Sequence, residues 1–258
     1  MLESRHTDTG NHQTRIFEVH LAPRKTLKFL LLVVLGLIST NLVVRFTEYF
    51  KLDYPFNGTM AQLFNVDYEQ NFPALYSVSA LLFCAILLAT IAYIKKKDGD
   101  RYVRYWTALS IIFLFLSLDE AISLHERTME PLQSALKASG FLYYAWVIPG
   151  GIFVIICLLS FLPFIRHLPA KTRRLFLISG ALFVSGALGM EMVSGYHHYL
   201  YGKENIVDAM LTTFEEFLEM LSIVVFIYTL LSYMSSYMKD VDLRVRITDD
   251  RKQRQRAQ

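Results

Sequence analysis

Three apolar stretches of this 258-residue chain carry acidic side chains in their midst. The first reads Ser117-Leu118-Asp119-Glu120-Ala121-Ile122-Ser123-Leu124-His125-Glu126. The second ends Glu191-Met192-Val193-Ser194-Gly195-Tyr196-His197-His198, and the third opens Thr212-Thr213-Phe214-Glu215-Glu216-Phe217-Leu218-Glu219. Carboxylates beside imidazoles do two kinds of chemistry: they move protons, and they ligate zinc, iron or manganese. Asp119, Glu126, Glu191, His198, Glu215 and Glu219 are the candidate metal ligands, with Glu120 and Glu216 as candidate general bases. Ser123 and Ser194 are candidate nucleophiles or polar packing residues.

At about 100° per residue, a helix sorts these side chains into faces. Asp119, Ser123 and Glu126 share one stripe; Glu191, Ser194, Gly195 and His198 share another; Asp208, Thr212, Glu215, Glu219 and Ser222 share a third. His125 and His197 point away from their stripes. Glu191 and His198 are two turns apart, about 10.5 Å along an axis, so a single ion takes one or the other and a dinuclear site both.

The elements that must position these groups are membrane spans. Hydrophobic residues make up 53% of the chain, and they gather in stretches long enough for a hydrocarbon core, which takes about 20 helical residues. The expected fold is all-α, an integral bundle of six transmembrane helices at about 27–45, 74–94, 105–126, 144–165, 175–198 and 210–238. A polar tail (1–26) precedes the transmembrane domain (27–238), and a basic tail (239–258) follows it. Lys and Arg fall on one side at every turn: 21 of the 26 lie in the N-terminal segment up to Lys28, the tail after 238 and the 95–104 and 166–174 connections. The positive-inside rule then places both termini in the cytoplasm. By that topology Asp119 lies about 21 Å from the cytoplasmic edge of its span, and all three acidic sets meet the outer third of the bilayer.

Charge balance narrows the possibilities. An ionised carboxylate at mid-membrane costs about 2.5–3.5 kcal/mol even on the lenient insertion scale. No span interior holds Lys or Arg, and Arg45 is the one basic residue expected within reach of the acids. The remainder must be protonated, solvated in an open cavity or bound to a cation. Alternatively, Met220 to Met238 spans alone, leaving Glu215, Glu216 and Glu219 as a solvated helix start in the headgroup region.

Other features bound the function by what they lack. The net charge of +3 reflects basic residues at membrane edges, not a nucleic-acid surface. Cys84 and Cys157 lie mid-span in different helices and read as packing residues. The first span has a long polar lead without a small-residue cleavage pattern, which reads as a retained helix. Gly150-Gly151 follows Pro149 within a span and reads as a kink or close packing. Asn57-Gly58-Thr59 fits a glycosylation acceptor. The aromatic segment from Thr47 to Phe72 suits the headgroup layer.

The phrase Phe115-Leu116-Ser117-Leu118-Asp119-Glu120-Ala121, continuing to Leu124-His125-Glu126, resembles a family of uncharacterised bacterial multi-pass membrane proteins, as does Phe64-Asn65-Val66-Asp67-Tyr68-Glu69-Gln70-Asn71-Phe72-Pro73. The resemblance implies a bacterial inner (plasma) membrane location and brings no activity with it. Membrane hydrolases of the alkaline ceramidase and adiponectin-receptor type, which place Ser, Asp and His around zinc, are similar only in the residue types they use. Their late His-x-x-x-His pattern is missing here, and there is one span too few. Three functions remain. One is a metal-dependent membrane enzyme, hydrolase or oxidoreductase, acting on a lipid-like, membrane-soluble substrate. The second is a proton- or cation-coupled transporter, for which polar residues in the inner halves are few (Thr107, Ser110, Ser179, Ser232, Ser235, Ser236). The third is a non-catalytic assembly or sensor protein.

Overall fold

A computed structural model describes residues 21–50, 57–203 and 205–238, and within them all regular structure is helical. Helix α1 covers Pro23–Tyr49, α2 Asn57–Phe64, α3 Phe72–Lys97, α4 Val103–Ile122 and α5 Leu124–Leu136. A 3-10 turn at Gly140–Leu142 leads into α6, Val147–His167. Helix α7, Ala170–Val184, runs through a π-helical turn, Ser185–Met190, into α8, Glu191–Tyr201, and α9 spans Ile206–Tyr237. Six helical rods are long and apolar enough to cross a membrane: α1, α3, α4, α6, the continuous α7–α8 rod, and α9. The all-α, six-span architecture is therefore present. His6, His12, His20 and the basic tail from residue 239 onward, like the side chain of Asn57, lie outside the described residues.

Local sequence explains where the helices begin and turn. Asn71 caps α3 by accepting the Ala74 N–H at 3.0 Å, with Pro73 in the first turn. Asn205 does the same for α9 through Asp208 N–H at 3.0 Å. The α3–α4 hairpin turns on Gly99 at φ 69°, a left-handed conformation that glycine takes without steric penalty. Asp100 secures it by accepting the Tyr102 N–H at 2.8 Å and pairing with Lys95 at 3.3 Å. Across the hairpin, Ser110 and Ser117 donate to the Ala85 and Val78 carbonyls at 2.8 and 2.9 Å.

Helices α3 and α9 form the buried centre, where Leu88, Ile91, Trp106, Phe164, Ile227 and Leu230 pack. Helix α1 is fastened to α9 by Asn41, fully buried, which donates to Thr213 at 2.9 Å and accepts the Val66 N–H at 3.0 Å. The outer faces carry exposed Phe29, Leu32, Ile111, Phe115, Ile155 and Leu159, a surface suited to lipid and not to water.

Two features depart from the sequence reading. The third span does not continue to 126: α4 ends at Ile122, Ser123 takes a left-handed φ of 51°, and α5 leaves in a new direction. Asp119, Ser123 and Glu126 therefore share no helical stripe, because the chain turns between them. The fifth span starts earlier, at Ala170, and contains the π turn, which offsets the residues after it around the axis.

Candidate functional site

A cavity of about 970 Å³ runs through the bundle between α4, α6, α7–α8 and α9. The end remote from the basic α3–α4 and α6–α7 connections is acidic. Asp119 and Glu120 reach it from α4, Glu191 and His198 from α8, and Thr212, Glu215, Glu216 and Glu219 from α9. His125 and Glu126 of α5, and Glu69 of the α2–α3 connection, complete the rim. The structure thus brings all eight sequence-predicted site residues to one cavity. It does not bring them to one point.

The turn at Ser123 creates the tightest arrangement. Asp119 sits in the last turn of α4, and the reversal swings α5 back over it. Its Oδ1 accepts the His125 backbone N–H at 3.0 Å, and its Oδ2 lies 2.8 Å from His125 Nδ1. This fixes the ring with Nδ1 toward the carboxylate and leaves Nε2 for other work. Burial draws the His125 pKa down, but the hydrogen bond and charge of Asp119 outweigh it and lift the imidazole to about 9. His125, expected to point away, is instead the partner of Asp119. An uninterrupted helix was the wrong premise.

The α8 and α9 acids are organised by different neighbours. Trp146, entering α6, donates its indole N–H to Glu191 Oε1 at 2.9 Å. Ser194 donates to Glu215 Oε2 at 3.2 Å, and the Glu191 and Glu215 side chains lie within hydrogen-bonding reach of each other. Both glutamates are only 8% exposed, so the solvated helix-start reading of this segment is overturned for Glu215. The close approach depends on Gly186: a Cβ there would stand 2.8 Å from Glu219 Cγ and 3.1 Å from the Glu215 carbonyl. Glu216 and Glu219 are half-buried, and neither carboxylate accepts a hydrogen bond among the described residues. Their accessible surface faces the cavity.

His198 stands apart from this group, held by the Tyr144 hydroxyl at 2.8 Å from its Nδ1. His197, the other ring expected to face away, approaches Asp208 at 3.8 Å. Among the described residues, no three His, Cys, Asp or Glu side chains are grouped as a set that could hold one metal ion. Arg45, expected to serve the acids, pairs with Asp67 at 3.6 Å instead. Lys203 and Arg127 line the rim, although Arg127 directs its Nε to the Ile122 carbonyl at 2.8 Å. At the rim, surrounding protein and then the nearby Glu69 carboxylate push the Glu126 carboxyl up to about 7.

Below the acids the cavity becomes apolar, lined by Ile112, Phe113, Leu116, Phe153, Cys157 and Phe161. Its floor is aromatic. Phe113 stacks on Phe226 at 4.6 Å, Phe226 meets Phe176 at 4.8 Å, and Tyr105 stacks on Phe164 at 5.4 Å. Phe153 and Leu158 of α6 line the cavity and are 43% and 54% exposed, on the helix that also carries exposed Ile155 and Leu159. Gly150 packs against Trp146 and Leu188, whereas Gly151 meets open space.

Residues 28–234 match the family described as a domain of unknown function, DUF8692. The chain belongs to that family. Because the match runs from α1 almost to the end of α9, the whole cavity lies within the DUF8692 region. No curated protein and no solved structure matches the chain significantly.

Tyr143, Tyr144, Trp146, Glu69 and Lys203 were not singled out from the sequence. The only local signal was an aromatic Tyr-Tyr-Ala-Trp run before the fourth span, which also suits an ordinary interface belt.

Proposed function

We propose that this DUF8692 protein is a membrane enzyme that draws a lipid-like amphiphile from the bilayer and performs acid–base chemistry on its head. The observation that carries this reading is the two-part cavity, with an Asp119–His125 pair among carboxylates at one end and an apolar trunk, walled by the thinly packed α6, at the other. Asp119 orients the ring, His125 Nε2 exchanges a proton with the substrate, and Glu120 and Glu216 are the supporting bases. The distribution of Lys and Arg favours cytoplasmic termini and an acidic end under the outer leaflet, and the family resemblance favours the bacterial inner membrane.

Transport fits less well. Ser110 and Ser179 spend their hydroxyls on the Ala85 and Phe176 carbonyls, and stacked rings lie between the cavity and the basic end.

The test is to incubate purified protein with a total bacterial lipid extract and compare the species by mass spectrometry. The wild-type protein is expected to convert one class, and His125→Ala and Asp119→Asn to leave it unchanged while still retaining lipid. An extract unaltered by the wild-type protein would overturn the proposal.

A second reading keeps a divalent zinc, iron or manganese ion. It is favoured by the meeting of Glu191 and Glu215, since two carboxylates in contact need a proton or a cation between them. Glu219, His198, Asp119 and Glu126 are then reserve ligands. Elemental analysis with a Glu191→Gln control decides it: stoichiometric metal lost in the variant supports the ion, and metal-free wild-type protein removes it.

A further inference from the structure

The head chemistry of the occupant follows from which side chains in the cavity have nothing to bind. Glu191 is held by Trp146, Glu215 by Ser194, and Asp119 by His125. Glu216 and Glu219 accept no such hydrogen bond among the described residues; both are half-buried and line the cavity, with His125 as the cationic neighbour of Glu219 and none seen for Glu216. Drawing an ionised group partly out of water without a partner is costly, and an anionic or hydroxyl-free neutral head entering the cavity would add to that cost. A proton relieves it by giving up the charge, and a cationic head relieves it with the charge kept.

The surroundings favour an organic cation over a bare metal ion. Metal ligands must converge at about 2.0–2.2 Å from one point, and no set of three is grouped that way among the described residues. The room is instead wide, with Tyr143, Tyr144 and Trp146 in its wall. Aromatic faces attract bulky, weakly hydrated cations such as alkylammonium groups. Directly beneath Glu219 on α9 come Ile223 and Phe226, on the same wall of the apolar trunk. A molecule filling both parts has a positive head attached to a hydrocarbon tail.

We propose that the cavity binds amphiphiles bearing a single organic cation, an amine or quaternary ammonium, with the cation between Glu216 and Glu219 and the tail in the trunk above Phe226. This inference rests on the amphiphile reading and specifies its substrate class.

The experiment uses full-length protein in nanodiscs of neutral lipid. Binding of an alkyltrimethylammonium is compared with that of the alcohol and the carboxylate of the same chain length, and manganese or zinc alone is tested in parallel. The cation is expected to bind at least about tenfold more tightly than the alcohol, which corresponds to about 1.4 kcal/mol. Glu216→Gln/Glu219→Gln should bring the two within about twofold. Equal binding of cation and alcohol to the wild-type protein would overturn the cationic head while sparing the amphiphile reading. Binding of none of the three would overturn both. Tighter binding of the carboxylate, or metal-ion binding abolished by the double variant without any preference for the alkyl cation, would overturn the proposal in favour of anion or metal recognition. If the double variant fails to fold, the cation-to-alcohol ratio of the wild-type protein still decides.

Discussion

Trp146 donates its indole N–H to Glu191 across the cavity mouth, a 2.9 Å bond between residues 45 positions apart in sequence. It ties the start of α6 to α8, on a helix whose other face is turned to lipid at Ile152, Ile155, Ile156 and Leu159. Trp146→Phe keeps the ring and removes the donor. Leaving a buried acceptor unsatisfied costs about 1–3 kcal/mol, so the variant should melt earlier in detergent. Glu191→Gln, which keeps an acceptor oxygen for the indole, should lose less. Equal losses from the two substitutions would show that the hydrogen bond does not hold the mouth together.

Stability should fall with rising pH in two stages. The His125 pKa is raised from 6.5 to about 9 in the folded protein. Its contribution is therefore complete below about 6.5 and disappears as pH rises through about 9. The Glu126 carboxyl is also raised, from 4.5 to about 7. Between those values the folded state binds the extra proton, so stability again falls as pH rises. Melting temperature measured from pH 4 upward should decline across both ranges. His125→Gln should flatten the upper stage, and Glu126→Gln the lower. The lower stage is the smaller, because Glu126 reaches solvent, which screens its interactions. A rise in melting temperature between pH 6.5 and 9 would contradict the Asp119–His125 arrangement.

Gly186→Ala tests the contact between the π turn and α9. The added methyl would meet Glu219 at Cγ, close to the backbone, where a rotamer change gives little relief. Overpacking of this kind costs about 1–3 kcal/mol, and it should displace Glu219 and weaken amphiphile retention. Gly151→Ala, at a position with open space around it, should be neutral in both measurements. If Gly186→Ala is equally silent, α9 and the π turn are not in close contact.

The sequence alone determined the solvent of this protein and hence its architecture. In lipid every backbone polar group must be satisfied within the helix, so length and hydropathy, summed over about 20 residues per span, leave little freedom. Helical period likewise put Glu191, Ser194, Thr212, Glu215 and Glu219 on stripes that now line one cavity. Tertiary structure decided how these groups are paired. The turn at Ser123 that brings His125 onto Asp119 rests on a single left-handed residue, too small a signal for any periodic pattern. Arg45 going to Asp67, Tyr144 to His198 and Trp146 to Glu191 are likewise choices between distant segments. Hydropathy is a local property that many residues enforce together, whereas each of these pairings depends on one or two polar contacts that exist only once the helices have packed.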